Sequence, residues 1–99
     1  MLFRSESIAH IEAHLDGEVD VAALARITAT SEYHYRRMFS ALAGMPLSEY
    51  VRRRRLTIAG AEVIAGNRAL LDIAFGAGYG SGEAFARAFR AFQIGRAHV

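Results

Sequence analysis

The sequence predicts an all-α protein in which two helix-turn-helix units are joined by a long connector helix. Three observations predict it. Strand signals are nearly missing: no alternating Val/Ile/Thr run occurs, and Ala-rich segments carry helical spacing throughout. One nonapeptide pattern is written twice, "SEYHYRRMF" at 31–39 and "SGEAFARAF" at 81–89, each with Ser first, an aromatic fifth, Arg seventh and Phe ninth. Between the copies, the segment at about 48–65 is apolar on more than one side, as suits a helix buried from two directions. Internal repetition of this kind sets the architecture before any local assignment is weighed.

Each element follows from capping and periodicity. Ser5 or Ser7 is expected to cap a first helix carrying Ile8, Ile11 and Leu15 on one stripe and ending near Gly17. Asp20 caps a short second helix with Val21, Leu24 and Ala25. "TAT" breaks it, and Ser31 caps a third helix to about Ala43, stopped by Gly44 and followed by Pro46. Ser48 opens the connector, with Val51 and Ile58 on one flank and Leu56, Ala59 and Val63 on another; Gly66-Asn67 ends it. A short helix from about Ala69 to Ala77, the "GYG" turn and a helix capped by Ser81 complete the chain.

Short helix, tight turn, second helix thus occurs at about 20–43 and again at about 69–93. Leu24-Ala25 corresponds to Ile73-Ala74, Ser31 to Ser81, Tyr35 to Phe85, Arg37 to Arg87 and Phe39 to Phe89, the second turn being one residue longer. At about 100° per residue, Tyr35, Met38, Phe39 and Leu42 share one face, and Tyr33, Arg36, Arg37 and Ser40 lie opposite. In the second copy Phe85, Ala88, Phe89 and Phe92 share a face, leaving Glu83, Ala86, Arg87 and Arg90 outward. The repeated aromatics are therefore expected in the core, and the repeated Arg outside it.

Composition bounds the function. The chain has 99 residues, suited to one domain or two very small ones, and 53% hydrophobic residues suffice for a packed core. There is no Cys, which excludes disulfides and thiolate metal sites and fits a cytoplasmic location. No apolar stretch has the length of a membrane span, and "MLFRSES" lacks the apolar core of a signal peptide. Charge is lopsided. Met1 to Glu32 holds six acids and two Arg, while Tyr33 onward holds ten Arg and four acids, with no Lys anywhere. Such a distribution fits a chain that meets a polyanion on one side.

The second helix of a helix-turn-helix can enter the DNA major groove. An outward Arg there can give two hydrogen bonds to guanine O6 and N7, or a charge-assisted bond to phosphate. Tyr33 can pack on a thymine methyl or a sugar edge. The Ser31 and Ser81 caps stand at helix N-termini, where phosphates bind readily. A connector of about 18 residues is roughly 27 Å long, against about 34 Å between successive major-groove faces on one side of B-DNA. One monomer is therefore expected to place two helices in adjacent grooves of double-stranded DNA.

The wording "LARITATSEYHYRRMFSALAGMPLSEYVRRRRL" and "DIAFGAGYGSGEAFARAF" resembles the DNA-binding domain of the AraC/XylS family of bacterial transcription activators, over about Ile8 to Gln93. The resemblance implies two homeodomain-like halves, a domain at 5–93, and RNA polymerase as a partner beside DNA. It places base-facing positions on Tyr33, Arg36 and Arg37, and on Gly82, Glu83, Ala86 and Arg87; Gly82 and Ala86 are poor base readers. "EYHYRRMF…GMPLSEYVRRRRLT" further resembles members whose DNA-binding domain is followed by a GyrI-like small-molecule-binding domain, so an effector would act only through such a domain. Family members continue after "FRAFQ" with a closing turn and helix. Here "IGRAHV" at 94–99 reads as a translated sequencing adapter, a non-native tail in which Arg96 and His98 are expected to carry no function.

Other signals lead elsewhere. "RRRR" at 52–55 points in all directions on a helix: Arg52 and Arg53 are expected to approach phosphates, and Arg55 to be partly buried beside an acid such as Glu62 or Asp72. "HIEAH" sets His10 and His14 one turn apart without further ligands, so no metal or other cofactor is expected. "GAGYG" reads as turn chemistry, and no catalytic set stands out, so the chain is not expected to be an enzyme. The alternative is a protein-interaction module docking RNA polymerase or an effector domain, which would show apolar anchors on the outward helix face.

Overall fold

The computed structural model describes residues 2–97, with side chains described for 6–95. The described residues form six helices and no strand: α1 (Leu2–Ala13), α2 (Val21–Ile27), α3 (Glu32–Ala43), α4 (Leu47–Ala65), α5 (Leu70–Gly76) and α6 (Gly82–Ala97). They pack as two compact units, Met1–Val51 and Arg52–Val99.

Caps explain several boundaries. Asp20 Oδ1 accepts the Ala23 N–H at 3.2 Å and opens α2. Ser31 Oγ accepts the His34 N–H at 3.2 Å, and Ser81 Oγ the Ala84 N–H at 3.1 Å. Gly44 closes α3 at φ 76°, in the left-handed region where Gly carries no Cβ penalty. One assignment is corrected. Neither Ser5 nor Ser7 caps α1, because the helix already runs from Leu2; Ser7 is fully buried within it.

The first unit closes on Ile11, Leu15, Leu24, Ala25, Tyr35, Phe39, Leu47 and Val51, with Ile8, Val19, Val21 and Tyr50 packed against them. Phe39 meets Tyr50 edge-on at 5.4 Å, and Tyr50 Oη donates to Glu12 Oε2 at 3.3 Å. In the second unit Leu56, Ala59, Ile73, Ala74 and Phe85 are buried, and Tyr79, Phe89 and Phe92 pack at their edge. The pairing of the two copies holds in space: Leu24-Ala25 and Ile73-Ala74 are buried alike, as are Tyr35 and Phe85. Their turns match as well. Thr30 N–H donates to Ala25 O at 2.9 Å and Tyr79 N–H to Ala74 O at 3.0 Å, across Ala29 (φ 54°) and Gly78 (φ 92°). The first copy thus places a side chain where the second uses Gly, at a cost of about 1–2 kcal/mol.

The long helix departs from expectation on both flanks. Leu47 and Val51 enter the first core, and Leu56 and Ala59 the second, but Ile58 and Val63 are exposed and Ile64 is 89% exposed. Periodicity marks which residues could be buried; it cannot say how many neighbours arrive to cover them.

Within the second unit Gly60 lies under Phe89. A Cβ at residue 60 would stand 2.6 Å from Phe89 Cε1 and 2.8 Å from Cζ, closer than van der Waals contact allows. Ala in place of Gly favours a helix by about 1 kcal/mol, whereas overpacking costs about 1–3 kcal/mol. Gly60→Ala should therefore destabilise the protein in urea unfolding, yet stabilise it in a Phe89→Ala background. Stabilisation in both backgrounds would show that the ring does not depend on Gly60.

Burial raises the Tyr35 hydroxyl above its ordinary pKa of 10.0, and the polar side chain of buried Ser7 beside it partly offsets this. Unfolded Tyr ionises near 10.0 while the folded residue keeps its proton to higher pH. The unfolded state then binds fewer protons, so stability is intact below that pH and falls as pH rises through it. Tyr35→Phe should flatten this alkaline decline in stability measured against pH. An equally steep decline in the variant would show that the hydroxyl is not shielded.

Candidate nucleic-acid interface

The buried side of α3 aims its exposed side. Tyr35 and Phe39 are 0% and 2% exposed, which turns Tyr33, Arg36, Arg37 and Ser40 outward, as the helical spacing predicts. Arg37 Nη1 donates to Tyr33 Oη at 3.0 Å, and its guanidinium carbon lies 5.7 Å from the centre of that ring. Tyr33 also meets the His34 ring edge-on at 5.6 Å. Ser31 is exposed at the helix start, its hydroxyl holding the first turn. Acidic Glu32 shares that turn, so the N-terminus that could receive a phosphate also carries a carboxylate.

The predicted apolar face of α3 is narrower than expected. Met38 is 39% and Leu42 64% exposed, so the buried patch stops at Phe39, a turn before the helix does.

In α6, Ser81, Glu83, Arg87 and Arg90 are exposed, whereas Gly82 and Ala86 are half-buried. Ala86 is thus not fully outward. With Arg90 it borders an apolar groove of about 450 Å³, lined also by Gly60, Val63, Ile64, Leu70, Phe85 and Phe89. The groove sets Ala86 near Val63, Ile64 and Leu70, apolar neighbours that the helical wheel of α6 alone does not show.

The arginine run divides as a helix requires. Arg52 and Arg53 are exposed, and Arg54 and Arg55 are half-buried. Glu62 pairs with Arg68 at 2.5 Å, a partner that sequence reasoning did not name. His10 and His14 stack at 4.1 Å, with His14 Nδ1 2.7 Å from His10 O. Among the described residues no three His, Cys, Asp or Glu side chains are grouped as a metal site would need. No described helix is long and apolar enough to cross a membrane. Arg96 and His98 lie outside the described side chains.

The Tyr33–Arg37 contact is the feature of this surface that the sequence analysis missed. Its signal was present, since residues four apart on a helix are neighbours. Taken singly, the two side chains have separate targets, a thymine methyl or sugar edge for Tyr33 and a guanine or phosphate for Arg37.

Comparison with known proteins bears on the family and the fold. A helix-turn-helix domain family matches residues 24–93. The HTH-type transcriptional activator AarP of Providencia stuartii is 34% identical over 88 residues, covering 89% of this chain and 65% of that protein. The regulatory protein SoxS of Escherichia coli K12 is 35% identical over 83 residues, covering 84% of this chain and 78% of that protein. Among solved structures, an AraC-type transcriptional regulator from Chromobacterium violaceum superposes with a TM-score of 0.77 at 21% identity, over 90% of this chain and 80% of that one.

Proposed function

The chain belongs to the AraC-type helix-turn-helix family of DNA-binding transcription regulators, and from that premise we propose that it reads duplex DNA with both copies of its repeated unit, α3 and α6 each entering one of two successive major grooves. A single observation carries this reading. A Ser-capped helix with a buried aromatic at the matching position, Tyr35 or Phe85, and an outward Arg is built twice, at 31–43 and 81–97, with Arg37 and Arg87 in register.

In this reading Tyr33, Arg36 and Arg37 meet base edges, with Ser31, Ser40, Arg52 and Arg53 toward the backbone. Glu83, Arg87 and Arg90 act from α6 beside the capping Ser81; Gly82 and Ala86 add closeness of approach and little discrimination. The DNA-binding domain is residues 5–93. The protein acts as a cytoplasmic, non-enzymatic activator that recruits RNA polymerase. The exposed apolar Met38 and Leu42 on α3 favour a second reading, in which this helix docks a protein partner instead.

Phosphate contacts release counterions, so affinity for DNA should fall steeply with salt, by about 10³–10⁵ between 50 and 200 mM for a protein making roughly 6–10 such contacts. Titration of a labelled random duplex at several salt concentrations, with a footprint on a selected site, tests the proposal. Salt-insensitive binding, or protection confined to one groove, would overturn it.

A further inference from the structure

Tyr33 and Arg37 are one helical turn apart on the exposed side of α3, joined by the 3.0 Å hydrogen bond and a cation–π approach of 5.7 Å. The helix beneath them is anchored by the Ser31 cap and by buried Tyr35 and Phe39. The second copy sets Glu83 and Arg87 at the corresponding positions, and among the described residues no hydrogen bond or ion pair joins them.

We propose that Tyr33 is a positioning residue for Arg37: its hydroxyl and ring hold the guanidinium in place before DNA arrives, so that base discrimination by the first unit depends on Tyr33 acting through Arg37. The inference rests on the reading of Arg37 as a base contact. A free Arg has many rotamers to lose, and ordering such a side chain at an interface opposes binding. A guanidinium already held by its neighbour has lost much of that freedom. The hold leaves the reading chemistry intact. Guanidinium has five N–H donors and Tyr33 takes one, while guanine O6 and N7 require two. Phe at position 33 would keep the ring and lose the hydroxyl. The hydroxyl is therefore the part of Tyr33 that fixes the guanidinium plane.

The test uses the whole chain as wild type, Tyr33→Phe, Arg37→Ala and the double variant. In the free protein, ¹⁵N relaxation of the Arg side-chain Nε–H groups should show Arg37 losing order in Tyr33→Phe while Arg87 keeps its own. Unchanged Arg37 order overturns the proposal with no DNA present. On selected duplexes varied one base at a time, Tyr33→Phe should lose about three- to tenfold on the preferred site. That loss should be confined to the base position that Arg37→Ala relaxes, with random duplex bound as before, and it should vanish in the Arg37→Ala background. A loss that persists in that background means that the Tyr33 hydroxyl meets DNA by itself, apart from any base contact that the ring keeps in Tyr33→Phe, which overturns the positioning role. If Arg37→Ala relaxes no base position, the reading of Arg37 itself fails and the positioning role falls with it, an outcome visible without any Tyr33 variant.

Discussion

Phe39→Ala should cost the protein about 3–5 kcal/mol, the range for truncating a buried Phe. The ring is 2% exposed, stands 6.3 Å from Tyr35 and 5.4 Å from Tyr50, and closes the first core from α3. Removing it leaves a cavity among side chains that are themselves buried, Ile11, Leu24, Tyr35 and Val51 with them, and such surroundings relax only in part. Domains of this kind hold about 5–15 kcal/mol in total, so the variant should melt far lower and lose DNA binding only as it unfolds. Leu42→Ala on the same helix is the control: Leu42 is 64% exposed, and its loss should stay within about 0.5 kcal/mol. Equal melting temperatures for Phe39→Ala and wild type would mean that α3 buries its other face, and the proposed interface would have to be redrawn.

Arg37→Ala should act the other way, leaving stability unchanged and costing about 1–3 kcal/mol on the preferred duplex, with relaxed preference at one base position. Arg37 is exposed and its described contacts are with Tyr33 alone, so no core depends on it. Arg52→Ala should instead weaken selected and random duplexes about equally and lower the salt dependence of binding, as loss of a phosphate contact does. Binding selections on the two variants separate the roles. Uniform weakening by Arg37→Ala would remove it from base recognition and leave it as a backbone contact.

The parts of this protein that sequence alone determined are those governed by short-range interactions. Asp20, Ser31 and Ser81 start helices because a side-chain oxygen reaches an N–H three residues on, within the same stretch of chain. Gly44 ends one because the left-handed backbone it adopts carries little penalty without a Cβ. Helical periodicity placed Tyr35, Phe39 and Phe85 inside and Tyr33, Arg37 and Arg87 outside, and the repeated pattern alone disclosed two copies of one motif.

Tertiary structure decided where each apolar stripe stops and which side chains meet. Met38, Leu42, Ile58 and Val63 sit on faces that a helical wheel marks as apolar, yet they stay exposed because burial needs a neighbouring element to arrive, and that is a property of packing between helices. Ser7 is buried beside Tyr35 and is not a helix cap for the same reason. Gly60 could be read as a helix-weakening residue until Phe89, far along the chain, was found against it. The Tyr33–Arg37 pair lies between the two cases. Its spacing is local and legible, but the rotamers that bring hydroxyl to guanidinium are chosen only once α3 is anchored on its core.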